Sequence, residues 1–135
     1  LLGVDKLVEN AVAMAGGDFA IPIIGTVKAG YNALAYNDDY GVEYANVRNP
    51  DEYFYLIVRG DSMEPRYHDK QAVWVQQTNS LSNGEIGIFY LDGMTYCKQL
   101  KDDKDGVYLV SLNSKYEPIK VTDDSSFRIF GRVLN

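Results

Sequence analysis

Residues 86–100 read IGIFYLDGMTYCKQL, and the fold class turns on them. Ile86 to Leu91 is a short apolar run, Asp92-Gly93 is a dipeptide suited to a two-residue hairpin turn, and Met94 to Leu100 is a second extended run. Working outward, Gln71 to Gln77 (QAVWVQQ) alternates, and Tyr53 to Arg59 is aromatic and β-branched. On the other side, Asp105-Gly106 separates residues 94–101 from Val107 to Leu112, and FRIFGRVL, Phe127 to Leu134, closes the chain. Pro22, Gly25 and Gly30 break residues 19–36 into extended pieces, read as strand, turn, strand. Residues 35–52, with Asp38, Asp39, Gly41, Asn46, Asn49 and Pro50, read as a long exposed excursion. Only residues 4–15 have helical spacing: Val4, Leu7, Val8, Val12 and Ala15 share a face, and Gly16-Gly17 supplies a stop. The expectation is a mostly β sandwich or partly open barrel of about seven short strands, preceded by a short N-terminal helix.

The 135 residues suit a single domain, with residues 1–18 as a linker or helix end and 19–135 as the folded unit. A net charge of −6 disfavours a phosphate-binding surface, because nucleic-acid affinity rests on Lys and Arg neutralising phosphates. The apolar runs are far shorter than the ~20 residues that cross a bilayer, and no signal pattern stands at the start, so no membrane contact is expected. Cys97 is the single cysteine and cannot form an internal disulfide. Without a Cys and His cluster at zinc-ligand spacing, neither metal nor cofactor is expected, and a reducing cytoplasm is. The first residue is Leu1, which leads to the expectation that a further part precedes it.

Chemistry is suggested at residues 59–65, RGDSMEP. Ser62 is a weak nucleophile until a base takes its proton. His68, the single histidine, lies in the polar stretch RYHDK, where nothing would hold it from behind as a triad requires. A lysine deprotonated by burial is the sharper candidate. In MTYCKQL, Lys98 shares one strand face with Met94, Tyr96 and Leu100, and is either such a base or an edge lysine guarding against aggregation.

GDSMEP at 60–65, followed by Lys98 in YCKQL, resembles the self-cleaving repressors of the LexA and phage CI type, the Ser-Lys peptidase family S24, with UmuD-like relatives. IPIIGTVKAG adds an Ala29-Gly30 bond where that family cuts its own chain, and FRIFGRVL looks like its terminal strand. The resemblance runs from about Ile21 to Leu134. It implies a LexA/signal-peptidase-like β fold for residues 19–135, a self-cleaving and dimerising domain whose DNA contacts lie in a helix-turn-helix part before Leu1.

By that likeness, Lys98 takes the proton of Ser62, whose oxygen attacks the Ala29 carbonyl, and Lys98 then protonates the Gly30 amine. Backbone N–H groups of Asp61 and Ser62 would serve the oxyanion, and Val27 would fill a second apolar pocket. Ala15-Gly16 is a rival bond, disfavoured because it ends a helix. The implied partners are a second copy of the chain and, as trigger, a RecA filament or a phage antirepressor. Lys28 departs from the small residue common in relatives, which bears on cleavage rate and activator. A UmuD-like polymerase accessory protein and the soluble part of a type I signal peptidase are the alternatives.

Overall fold

The computed structural model describes residues 49–134 and, ahead of them, the strand backbones at 19–24, 27–28, 35–36 and 42–45. The helix expected at 4–15, Ala15-Gly16 and Ala29-Gly30 lie outside the described residues. The strands are β1 (Phe19–Ile24), β2 (Val27–Lys28), β3 (Ala35–Tyr36), β4 (Val42–Ala45), β5 (Tyr53–Ile57), β6 (Ala72–Gln77), β7 (Ile86–Leu91), β8 (Met94–Asp103), β9 (Gly106–Val110), β10 (Ile119–Val121) and β11 (Phe127–Val133). One 3-10 turn, Pro50–Glu52, is the helical element among the described residues. The mostly β expectation is met. Nine strands form a single sheet in the order β10-β9-β8-β7-β11-β6-β5-β1-β4, with β2 and β3 as a separate ribbon.

The hairpin of residues 86–100 forms as its turn chemistry dictates. Asp92 and Gly93 both have positive φ, 48° and 95°, the pair of values a tight two-residue hairpin turn demands. Strand pairing then runs from Leu91↔Met94 to Ile86↔Gln99. β8 continues beyond the expected Lys101 to Asp103, because Asp102 and Asp103 pair with Val107 and Gly106 of β9.

Alternation divides the side chains between two faces. Phe54, Leu56, Val73, Val75, Ile86 and Ile88 enter one core with Phe130 and Val133. Between them, Tyr55 and Trp74 form a small cluster with Tyr53 on the other face of β5 and β6. Phe89, Leu91, Leu100 and Leu109 build a further core with Ile119, Val121 and Phe127. Fully burying each such side chain contributes about 1.5–3 kcal/mol.

Two expectations change. Residues 35–52 are not simply an excursion: β3 lies there, and β4 pairs antiparallel with β1 from Phe19↔Ala45 to Pro22↔Val42. Backbone hydrogen bonding to a neighbour makes such a strand at the sheet edge without an apolar sequence signal. β10, likewise unforeseen, is three residues between Pro118 and Thr122, too short to show periodicity, and is defined by pairing with β9.

Candidate active site

The segment after β5 places Ser62. Val58 still bonds across to the far side of the loop, with its N–H donating to Gln71 O (2.8 Å) and its carbonyl accepting from Lys70 N (2.7 Å). Gly60 then turns the chain at φ 82°, a left-handed value that glycine adopts without steric cost, and its N–H donates to Asp69 Oδ1 at 2.7 Å. A tight turn follows, with Glu64 N donating to Asp61 O (3.2 Å) and Tyr67 N to Met63 O (3.0 Å). Met63 and Tyr67 are each 1% exposed and sit in the same core as Phe54, Val75 and Phe130. Ser62 is thus the residue next to a buried rivet.

From the other side, Asn113 holds the turn. Its backbone N–H donates to Ser62 O (2.9 Å) and its side-chain amide to Asp61 O (3.1 Å). The N–H groups of Asp61 and Ser62 donate to no other described residue.

Lys98 stands on β8 opposite Gly87 of β7 and is 7% exposed. Its Nζ lies 2.7 Å from Ser62 Oγ and 5.6 Å from the centroid of the Tyr96 ring. No carboxylate pairs with it among the described residues. Burial lowers its pKa below the usual 10.5, opposed only in part by the neighbouring Cys97 thiol. A neutral amine at this distance presents its lone pair to the serine hydroxyl proton. β8 lies between β9 and β7 inside the sheet, so Lys98 is a buried lysine and not an edge one.

His68 is exposed and its Nδ1 faces Glu64 Oε2 at 3.5 Å. Burial pushes the Cys97 thiol up to about 12, so it stays protonated and unreactive. Among the described residues no group of three or more His, Cys, Asp or Glu could hold a metal ion, and no helix is long and apolar enough to cross a membrane.

An open cleft of about 890 Å³ surrounds the pair, walled by Leu56, Ile57, Val58, Met63, Met94, Tyr96, Tyr116 and Ile119. Met94 and Tyr116, 58% and 41% exposed, are large apolar groups left in water at this cleft. Of the residues read from the sequence, Asp61, Ser62 and Lys98 come together here, whereas Val27 is described only as β2 backbone paired with Tyr36. Asn113, Lys115 and Tyr116 carried no local signal, since their role comes from meeting Asp61 across more than fifty residues of sequence.

The sequence model of the Peptidase S24-like family matches residues 22–134. The chain belongs to this family. Among curated relatives of this S24 chain, the LexA repressor of Oleidesulfovibrio alaskensis is 34% identical over 128 residues, covering 93% of the chain and 60% of the relative. The LexA repressor of Ruminiclostridium cellulolyticum is 35% identical over 118 residues (84% of the chain, 54% of the relative). That of Carboxydothermus hydrogenoformans is 36% identical over 120 residues (85% and 58%). The S24 chain therefore spans somewhat more than half the length of these relatives.

Proposed function

We propose that this chain is the self-cleaving, dimerising part of an SOS-type or phage transcriptional repressor, with Ser62 as nucleophile and Lys98 as base. The observation that carries the proposal is the 2.7 Å separation of Ser62 Oγ from a buried Lys98 Nζ that has no carboxylate partner among the described residues. Neutral Lys98 removes the Ser62 proton as Oγ bonds to the carbonyl carbon of Ala29. The tetrahedral oxyanion accepts from the N–H groups of Asp61 and Ser62. Collapse breaks the Ala29–Gly30 C–N bond, Lys98 returns the proton to the Gly30 nitrogen, and an ester joins Ala29 to Ser62. Water, deprotonated by Lys98, hydrolyses that ester.

The pairing of β1 supports the choice of bond. β1 runs parallel to β5, with Ile23 beside Tyr55 and Ile24 beside Leu56. β1 therefore ends at the same end of the sheet as β5, whose chain leads on to Ser62, whereas Ala15 precedes β1. Ala29 and Gly30 are small enough for close approach, and Val27, two residues before Ala29, would enter the apolar cleft on the same side.

Residues 1–18 serve in this proposal as the linker from a DNA-reading part, and residues 19–135 as peptidase and dimerisation domain. Two copies would set two DNA-reading parts on a palindromic site. The trigger is a RecA filament or a phage antirepressor that shifts the substrate segment towards Ser62. The named relatives are repressors, which weighs for this reading over the polymerase-accessory and signal-peptidase ones.

The test is intact-mass measurement of the purified chain held at about pH 9–10, where more of a lysine base is neutral. Fragments ending at Ala29 and beginning at Gly30 are expected, and both should vanish in Ser62→Ala and Lys98→Ala. Equal cleavage in those variants, or an intact wild-type chain even with RecA filaments present, would overturn the proposal.

A further inference from the structure

We infer that Asp61 is a positioning residue: Tyr116 and Lys115 grip its carboxylate from the connection between β9 and β10 and thereby hold the Ser62 hydroxyl on Lys98. This inference rests on the function proposed above and adds a device to it. Met63 and Tyr67 anchor the serine turn from beneath, but an anchor on one side leaves the turn free to rock about it. The outer side is closed by residues 113–116. Tyr116 Oη donates to Asp61 Oδ1, and Lys115 Nζ lies 2.8 Å from Asp61 Oδ2. Asn113 meanwhile takes the carbonyls of both Asp61 and Ser62. Four contacts from one short stretch thus converge on two consecutive residues.

The gripping stretch is itself preformed. Tyr116 N donates to Asn113 O at 3.1 Å, and Lys115 N donates to Asn113 Oδ1 at 3.2 Å. It leads directly out of β9, and β9 is paired with β8, the strand that carries Lys98, from Gln99↔Val110 to Asp103↔Gly106. A closed mechanical circuit results: Lys98 to β8, β8 to β9, β9 to Tyr116, Tyr116 to Asp61, Asp61 to Ser62, and Ser62 back to Lys98. Loosening the Tyr116–Asp61 link opens that circuit at the nucleophile. A displacement of about 1 Å there is enough to slow the chemistry by up to about a hundredfold.

The surrounding charges agree with a latch that is closed wherever the dyad works. Asp61 is faced by Lys115 and Tyr116 from the β9–β10 connection, Glu64 of its own turn acts on Lys115, Lys98 stands beyond Ser62 on β8, and Arg59 and Glu117 line the same cleft. The hydrogen bonds from Lys115 and Tyr116 hold the Asp61 carboxyl below its usual 3.8, while the bond to Asp61 raises Tyr116 above its usual 10.0. The carboxylate is therefore charged and the phenol protonated across the neutral and mildly alkaline range.

The experiment is the first-order self-cleavage rate as a function of pH in Asp61→Ala, Tyr116→Phe, the double variant and Asp61→Asn, each made in the full chain. Tyr116→Phe deletes one oxygen from a half-exposed ring, so folding should survive; melting in a Ser62→Ala background checks it. Asp61→Ala and Tyr116→Phe should each lower the plateau rate about tenfold or more and move the midpoint of the profile to higher pH, because a displaced Ser62 lets water reach Lys98. The double variant should be no slower than the slower single one, as expected when both changes break one contact. Asp61→Asn, which keeps an acceptor for Tyr116, should recover most of the rate. Wild-type rates and an unmoved midpoint in Asp61→Ala and Tyr116→Phe, or multiplicative losses in the double variant, would refute the latch while leaving the proposed function intact. Continued cleavage in Ser62→Ala would instead sink the function itself.

Discussion

Met63→Ala should unfold the site from beneath, and its cost can be worked from the structure. The Met63 side chain is 1% exposed and packs among Phe54, Val58, Tyr67, Val75 and Phe130. Removing its apolar atoms forfeits about 2 kcal/mol of transfer free energy. The void left behind adds a cavity term of about 24 cal/mol per Å³ that does not collapse, giving a total of about 3–4 kcal/mol. For a chain of this size that corresponds to a fall in Tm of roughly 12–16 °C. The measurement is paired urea and thermal unfolding in a Ser62→Ala background, which keeps self-cleavage out of the transition. Met63→Leu, nearly volume-conserving, should lose less than about 1.5 kcal/mol. Well below its melting temperature, Met63→Ala with Ser62 intact should still cleave more slowly than wild type, and Met63→Leu should restore the rate. A loss under about 1 kcal/mol for Met63→Ala, against the usual range for buried Met truncations, would show that the turn is not anchored by this side chain.

Two further outcomes follow from buried groups. Because burial lowers the Lys98 pKa from 10.5, this group leaves the unfolded chain with more bound protons than the folded one between the lowered value and 10.5 and so contributes a rise of stability with pH across that window, opposed above 9.0 by the buried Cys97 thiol. In a Ser62→Ala background, urea unfolding should show that slope with Lys98 present and lose it in Lys98→Met, which should also be the more stable protein at neutral pH; parallel slopes would exclude a desolvated ammonium. Gly131→Ala should destabilise by about 1–3 kcal/mol, since an added methyl would collide with Val75 Cγ1 and stand 2.9 Å from the Gln76 carbonyl oxygen, on backbone that cannot step aside. Chemical denaturation reads that loss directly, and an unchanged midpoint would mean that β11 can shift against β6.

The sequence by itself determined the strands whose side chains face two ways and the turn that joins two of them. Val73 and Val75 enter one core while Trp74 enters another cluster, and that alternation is written in QAVWVQQ. Asp92-Gly93 specified its own positive φ angles, because few other residue pairs adopt them at low cost. Ser62 after Gly60, and Lys98 between apolar neighbours on β8, were legible for the same reason: local conformation and face follow from residue type and a period of two. Tertiary structure alone decided what those residues meet. The edge strand Val42–Ala45 and the three-residue β10 exist because backbone N–H and C=O groups of a neighbour complete them, and such pairing leaves no trace in composition. The grip of Asn113, Lys115 and Tyr116 on the serine turn spans more than fifty residues, beyond any pattern local to either segment. Likewise, an alternating strand says which way Lys98 points, but only the arrival of the loop after β5 removes its water and sets its nitrogen 2.7 Å from Ser62. Desolvation and distance, the two quantities that make a lysine a base, are properties of the packed chain.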